Sequence, residues 1–285
     1  MKFVSYNIQF GMGLDDKFDP VRIANSIRDA DIIALQEVTR DFHRNGHADL
    51  AETFSKLFPD YSCTFGAACD VLIDHQIIEG RRRERRFQFG NMVLSRYPIL
   101  ATRHLLLPRS RTYDKLNLQR GAVEAVIDAP GGPLRVYSLH LDHVSPGERI
   151  AQIRFIKERV ANFGREGGAL TGAGQFGLPD LPFPSGYLIM GDFNMEPESP
   201  EYIEMVGLDD AFYGRVPRAD LPLDALARCR AHSREGYSWM SPDRTVRKHL
   251  DYCFLSGDLA PRLKSASVDV SAPGSDHFPV WVELD

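Results

Sequence analysis

DIIALQEV, residues 31–38, holds an unbroken apolar run from Ile32 to Leu35 and then turns polar at Gln36 and Glu37. A run this short and this apolar reads as a strand buried on both faces, and it delivers a carboxylate at its C-terminal end. That is how a scaffold presents a catalytic group. Upstream, Lys2 to Ile8 alternates in the manner of a strand. Asp19 followed by Pro20 then supplies an N-cap and a first-turn residue for a helix with Ile23, Ala24 and Ile27 on one face. Downstream, Phe89 to Leu100 (FGNMVLSRYPIL) and Gly121 to Asp128 (GAVEAVID) read as strands, and the turn Pro130-Gly131-Gly132-Pro133 leads into another, Leu134 to Leu141 (LRVYSLHL). This meander predicts antiparallel pairing.

Ser145 and Glu148 have the spacing of a capping box with Pro146 at the first helical position, and Ile150, Ile153, Ile156 and Val160 follow at helical spacing. Gly164 to Gly186 is rich in Gly and Pro without periodicity and reads as a surface loop. Tyr187 to Met190 is a short buried strand ending in Gly191-Asp192-Phe193-Asn194, and HLDYCFL (His249–Leu255) and HFPVWVEL (His277–Leu284) give two more strands. Strands and helices intermingle without strict alternation. One domain over residues 1–285, of α/β (α+β) class with packed sheets flanked by helices, fits this better than a doubly wound sheet or an α/β barrel.

With 285 residues, 43% of them hydrophobic and 26% charged, the chain has enough apolar material for a sizeable core. A formal net charge of -5 argues against broad attraction to nucleic acid, while leaving room for a local basic patch. Cys63, Cys69, Cys229 and Cys253 form no CxxC pair, so a zinc cluster or a disulfide framework is not expected. The opening MKFVSYNIQF is broken by Ser5 and Asn7 and lacks the apolar core of a signal peptide. No stretch approaches the roughly 20 apolar residues of a spanning helix. The expectation is a soluble, cytoplasmic monomer.

Taken singly, the polar residues at strand ends have ordinary explanations: Asn7 pairing with backbone, Glu37 capping a turn, Asp192 making an Asx turn, His140 satisfied in the core beside Val136 and Ser138. Their recurrence is what carries weight. Asn7, Glu37, His140, Asp192 with Asn194, Asp251, and Asp276 with His277 all sit at or beside an apolar run, which predicts one rim. Phosphate ester hydrolysis needs a cation on the phosphoryl oxygens, a base for the attacking water and a stabilised leaving group. Asn7 and Glu37 offer hard oxygen ligands suited to Mg2+ or Mn2+, whereas zinc would favour more histidine or cysteine. Asp192 and Asn194, two apart, would point the same way in extended backbone. His277 beside Asp276 and near Asp251 is poised for proton transfer, and Arg120 could hold a phosphate by a bidentate contact. The run Arg81-Arg82-Arg83-Glu84-Arg85-Arg86 reads as a solvated loop that could attract a polyanion or an anionic lipid surface.

In order, SYNIQF, ALQEV, FGNMVLSRYPI, SLHL, GDFN, HLDYCFL and SDHFPV closely resemble the motifs of the endonuclease/exonuclease/phosphatase superfamily, from residue 3 to residue 282. The resemblance implies a four-layer αββα sandwich, two packed and mostly antiparallel sheets between helices. It implies Glu37 as principal metal ligand with Asn7 close by, Asp276 as a further metal or water ligand, and Asp192 with Asn194 positioning water and the scissile phosphate. His277 looks like the histidine that acts as general base or stabilises the pentacovalent phosphate, oriented by Asp251. His140 looks like the second histidine of the deoxyribonuclease-like and sphingomyelinase-like branches, with Glu84 where a supporting glutamate is found. Arg120 and Asn91 are expected to contact substrate. The abasic-site branch is disfavoured by Gln9 and a missing tyrosine motif, and the inositol polyphosphate branch by GDFNMEP and KHLDYCFL.

Three readings follow. A metal-dependent phosphodiesterase acting on nucleic acid or nucleotide is narrowly favoured. A phospholipase C-like or phosphomonoesterase activity on a lipid headgroup or small ester is the alternative, with Gly177 to Pro184 (GLPDLPFP) as a mildly apolar loop. A non-catalytic binding module is remote, because every principal motif position holds a chemically competent residue.

Overall fold

The computed structural model describes residues 1–229 and 236–285. In chain order the first half runs β1 (Lys2–Asn7), α1 (Pro20–Ile27), β2 (Ile32–Arg40), α2 (Leu50–Leu57), β3 (Ser62–Ile78), β4 (Arg81–Ser95), β5 (Ile99–Leu106), β6 (Gly121–Ile127) and β7 (Leu134–His140). It continues with α3 (Pro146–Glu166), β8 (Tyr187–Asp192), α4 (Pro200–Val206), β9 (Leu223–Asp224), α5 (Ala225–Cys229), β10 (Trp239–Met240), β11 (Arg247–Lys248), β12 (Asp251–Leu255), β13 (Leu263–Val268) and β14 (Val280–Leu284). One six-stranded sheet has the order β13-β14-β1-β2-β4-β3, the other β5-β6-β7-β8-β12-β9. Each contains a single parallel pair, β1 with β2 and β7 with β8, and in each case a helix, α1 or α3, makes the crossover that parallel pairing requires. The expected mostly antiparallel αββα sandwich is the observed fold.

Period-two alternation sorts the side chains into layers. Phe3, Ile32, Ala34, Val136, Leu188 and Met190 meet between the sheets. The intervening Val4, Tyr6, Ile33 and Leu35 face outward to Ile23, Ala24 and Ile27 of α1 and Phe54 of α2. On the opposite outer face, Tyr137, Leu139, Ile189 and Phe254 pack on Ile153 and Ile156 of α3 and Met205 of α4. Both sheets are therefore buried on two sides, which explains their near-continuous apolar runs.

Helix starts follow the sequence. The Asp19 carboxylate accepts from the Arg22 amide, and the Ser145 hydroxyl from the Glu148 amide at 3.3 Å. The return half of the Ser145 box is absent: the Ser145 amide donates to Asp142, while Glu148 accepts from the Ser110 amide and so anchors the loop before β6. The expected strand Phe89 to Leu100 is two strands separated at Pro98, a residue that cannot donate to a ladder. Arg81–Arg86, expected as a loop, is the first part of β4, and β3, which the sequence reading missed, is its partner.

On β5, Arg103 grips the buried Glu124 of β6 through Nε and Nη2 at 2.6 and 2.8 Å and reaches Glu166 of α3 through Nη1. Breaking a buried pair strands the remaining charge. Arg103→Met should cost about 3–5 kcal/mol of stability, read by urea denaturation, with hydrolytic activity per folded molecule unchanged.

Candidate active site

The inward-facing rows of five strands change character toward one edge of the sandwich. Along β1 the row reads Phe3, Ser5, Asn7; along β2, Ile32, Ala34, Gln36; along β7, Val136, Ser138, His140; along β8, Leu188, Met190, Asp192; and along β12, in reverse direction, Leu255, Cys253, Asp251. Beneath the rim, Gln36 accepts from the Ser5 hydroxyl at 3.4 Å and donates to the Ser138 oxygen at 3.0 Å, while that hydroxyl donates to the Leu35 carbonyl. This satisfied polar bridge locks the two sheets directly below the site. In register, His140, Asp192 and Asp251 stand abreast on adjacent strands, and Asn7 reaches across from the other sheet to donate to Asp192 Oδ2 at 2.9 Å.

Plain alternation would turn Glu37 outward, because Gln36 points in. A β-bulge in β2, between Leu35 and Val38 opposite β4, reverses this. Glu37 has φ of 59°, a left-handed conformation uncommon for a residue bearing a Cβ, and its carboxylate enters the cleft 3.4 Å from Asn7 Nδ2. Asn194 is also left-handed, φ 49°. Its amide nitrogen donates to Asp192 Oδ1 at 2.9 Å and its side chain to the Leu141 carbonyl at 3.2 Å. Asp192 and Asn194 thus share the cleft through a tight turn, and the extended geometry expected from their spacing is corrected. Such strained positions cluster where the fold over-determines a functional geometry.

The remaining groups come from the segment before β14. Asp276 Oδ2 accepts from the Trp239 indole at 3.0 Å, and His277 Nδ1 lies 2.8 Å from Asp251 Oδ2. Asp251 also accepts from the Ser238 hydroxyl at 2.7 Å, which leaves His277 Nε2 toward Asp192, 3.7 Å from Oδ2. Burial acts to lower His277, but the contact with Asp251, reinforced by Asp192, outweighs it and holds the imidazolium well above the usual histidine range. His140 shows the opposite: burial, with Arg120 and His277 nearby, holds it well below that range and neutral. Two histidines in one cleft are pushed apart in charge.

Arg120 is 4% exposed, and its guanidinium bonds through Nη2 to His143 Nδ1 at 2.8 Å, while Nε and Nη1 have no partner among the described residues. A desolvated guanidinium with two buried, unpaired nitrogens at a cleft wall is suited to an anion that comes within its reach. The sequence reading missed His143, Trp239, and the apolar wall of Phe42, Phe87 and Phe89, which line the same cleft of about 440 Å³; Phe89 was read only as the start of a strand, and the others lie outside the runs that were read. Two expectations are corrected. Asn91 is buried and donates to the Gly121 carbonyl at 2.7 Å, steadying the strand that follows Arg120 and lying beneath the cleft surface. Glu84 is exposed on the β3–β4 hairpin with Arg82 and Arg86, and His140 Nδ1 has no hydrogen-bond partner among the described residues.

At Glu37 the positive charges of His277 and Arg120 are outweighed. Burial first, then Asp276, raises its carboxyl to about 7. Two carboxylates converging with an amide oxygen nearby are a hard-oxygen donor set suited to a divalent cation that keeps several waters. Asp192, Asp251 and His277 also present ligand atoms within 4.8 Å of one another. The Asp251–His277 hydrogen bond commits that pair to each other, so Glu37 with Asp276 fits a cation better.

Residues 4–277 match the profile of the Endonuclease/Exonuclease/phosphatase family. No curated protein matches. Among solved structures, an endonuclease/exonuclease/phosphatase from Beutenbergia cavernae is 21% identical over all of this chain and 71% of its own, with a TM-score of 0.65. A mannosyl-6-phosphatase from Bacteroides thetaiotaomicron is 19% identical over 100% and 99%, TM-score 0.63. A 3′ phosphatase from Neisseria, bound to product DNA hairpin, is 18% identical over 100% and 99%, TM-score 0.61. At these identities the likeness is one of fold.

Proposed function

The chain belongs to the endonuclease/exonuclease/phosphatase family, whose members are hydrolases acting on phosphate esters, and from that premise we propose that it is a divalent-metal-dependent phosphodiesterase using Mg2+ or Mn2+. The observation that carries the diester reading is the pair of recesses meeting at the catalytic groups. The cleft of about 440 Å³ and a neighbouring one of about 500 Å³ share His143, Asn194, Trp239 and His277. A phosphorus atom held there has room for a substituent on either side, which a monoester does not use.

A divalent cation held by Glu37 and Asp276 would supply charge neutralisation at the phosphoryl and leaving oxygens. Arg120, whose guanidinium lines the cleft, binds a non-bridging oxygen, and the Asn194 side chain fixes the phosphoryl orientation. Asp192, kept in place by Asn7 and the Asn194 amide nitrogen, orients the attacking water and accepts its proton. His277, charged through Asp251, stabilises the pentacovalent phosphate and gives a proton to the departing alkoxide. His140, held neutral, sits 3.3 Å from Asp192 Oδ2 through Nε2 and limits where that carboxylate can point. Attack is in line, with no covalent enzyme intermediate.

Nucleic acid or nucleotide was the favoured substrate from sequence. One cleft wall is built of Phe42, Phe87, Phe89 and Leu118, with Phe10 and Leu116 also lining it. That wall equally accommodates an apolar substituent, which keeps a lipid phosphodiester as a second reading. Hydrolysis of bis-p-nitrophenyl phosphate, p-nitrophenyl phosphate, plasmid DNA, single-stranded RNA and sphingomyelin, each with Mg2+, Mn2+ or EDTA, tests the proposal. EDTA-sensitive cleavage of diesters over the monoester supports it; preference for the monoester, or activity indifferent to EDTA, removes it. Arg120→Met should lower kcat/KM about 10- to 100-fold, the worth of one or two charged hydrogen bonds, and weaken competitive inhibition by inorganic phosphate in parallel.

A further inference from the structure

Beyond Gln88, the last β4 residue paired to β2, β3 and β4 pair only with each other among the described residues. Every residue from Asp70 to Arg86 is exposed. This two-stranded arm reaches about 25 Å past the sheet at ordinary strand rise, and a ribbon without a third strand is marginal in water on its own. Its composition departs from the usual protection of an exposed ribbon. Val71, Ile73, Ile77 and Ile78 are each at least half exposed, at 51, 50, 64 and 50%. Across the turn at Glu79 and Gly80, Ile78 faces Arg81 and Ile77 faces Arg82, so each face of the tip carries an aliphatic side chain beside a guanidinium.

The arginines divide by position. Near the base, Arg85 pairs with Asp41, which ties the arm to the body, and Arg86 pairs with Asp70 across the arm. At the tip Arg81 and Arg83 pair with no carboxylate among the described residues, and Arg82 lies 3.9 Å from Glu84. With Glu79 in the turn and Glu84 behind them, these arginines leave the tip with a small net positive charge in a chain of net charge -5. Aliphatic side chains flanked by long cationic ones match the boundary of an anionic bilayer: the former enter the acyl region while the latter snorkel to the phosphates. A nucleic acid would engage the charge but leave Ile77 and Ile78 in water, and it would call for stacking rings, which the tip lacks.

We propose that the tip of the β3–β4 arm, through Ile77, Ile78 and Arg81–Arg83, docks the protein on an anionic phospholipid surface. The apolar character continues inward. Val71, Leu72 and Ile73 surround a recess with Cys69, Phe42 and Phe87, and Phe42, Phe87 and Leu118 belong both to that recess and to the catalytic cleft. Resting on the phosphodiesterase reading, this continuity makes an amphiphilic phosphodiester, presented at the interface, the substrate class the arm serves.

Co-sedimentation with vesicles of phosphatidylcholine alone, or phosphatidylcholine containing phosphatidylglycerol, tests the docking. Wild type should partition onto the anionic vesicles and weakly onto the neutral ones. Since one arginine near an anionic surface is worth about a factor of five, Arg81→Ser/Arg83→Ser should lose about 25-fold in partitioning, and Ile77→Ser/Ile78→Ser at least tenfold at the cost of two buried aliphatics. Both variants should hydrolyse soluble bis-p-nitrophenyl phosphate at the wild-type rate, so failure of docking and failure of the catalytic reading are separable. The proposal is overturned by variants that partition like wild type, by wild type that ignores anionic vesicles while binding duplex DNA through the same arginines, or by an arm that pairs two copies, seen as a dimer in light scattering that the isoleucine variant dissolves.

Discussion

Glu37→Gln should reduce turnover about 10³-fold, the several kcal/mol that a divalent cation supplies to a developing phosphoryl charge, while leaving the protein as stable as the parent or more so. Burial first, then Asp276, raises the Glu37 carboxyl to about 7 against the opposing charges of His277 and Arg120. A folded value above the unfolded one near 4.5 means the group costs stability progressively as pH rises through that interval. The neutral isostere removes the desolvated charge and its repulsion by Asp276, and it keeps the shape, including the left-handed bulge. The same shift sets a pH dependence for cation binding: affinity should fall as pH drops below about 7, because the ligand must be ionised. In Glu37→Gln that dependence should flatten. Calorimetric titration of Mn2+ at several pH values, paired with thermal melts without metal, reads both. A variant that binds Mn2+ as tightly as the parent, with the same pH slope, would sink the assignment.

The legible part of this site was the part that alternation controls. Asn7, His140, Asp192 and Asp251 each end an inward-facing row, and once an apolar strand is recognised its period of two fixes where the terminal residue points. Glu37 was found for an incomplete reason. Its strand was right, but simple alternation would have sent it to the outer layer, and the bulge that turns it inward leaves no mark in a stretch reading Leu-Gln-Glu-Val. His143 and Trp239 come from loops whose course depends on distant contacts, such as the Trp239 indole on Asp276, so no local pattern announces them. The β3–β4 arm failed for a different reason. A dense charge run usually means a solvated loop, and here the run is a strand because the partner across Glu79-Gly80 is rich in Val and Ile; both turn residues have positive φ, 51° and 75°, as a two-residue hairpin turn requires. Glu84 went astray with it, since sequence order near a motif carries no information on depth.

Asp251→Asn should lower kcat by about 10² to 10⁴, the range for a positioned acid or base, and should do so with a change in pH profile that a loss of packing would not give. Burial alone lowers an imidazole; at His277 the Asp251 carboxylate at 2.8 Å, with Asp192 behind it, reverses the sign and raises it. A raised value means the charged form is present at all pH below it and is lost as pH climbs through it, so the parent's alkaline limb should lie above the ordinary histidine range. Asparagine keeps a hydrogen-bonding oxygen for Ser238 and His277 but removes the charge, so desolvation takes over and His277 becomes neutral at lower pH. The alkaline limb of kcat should therefore move to lower pH, with part of the activity recovered as the assay is acidified, until protonation of Glu37 closes the window from the acid side. His277→Ala should lose activity to a similar extent with that limb erased. If Asp251→Asn instead lowers activity by one factor at every pH, then Asp251 serves only to hold the loop carrying His277, and the assignment of His277 as a charged group in the reaction fails with it.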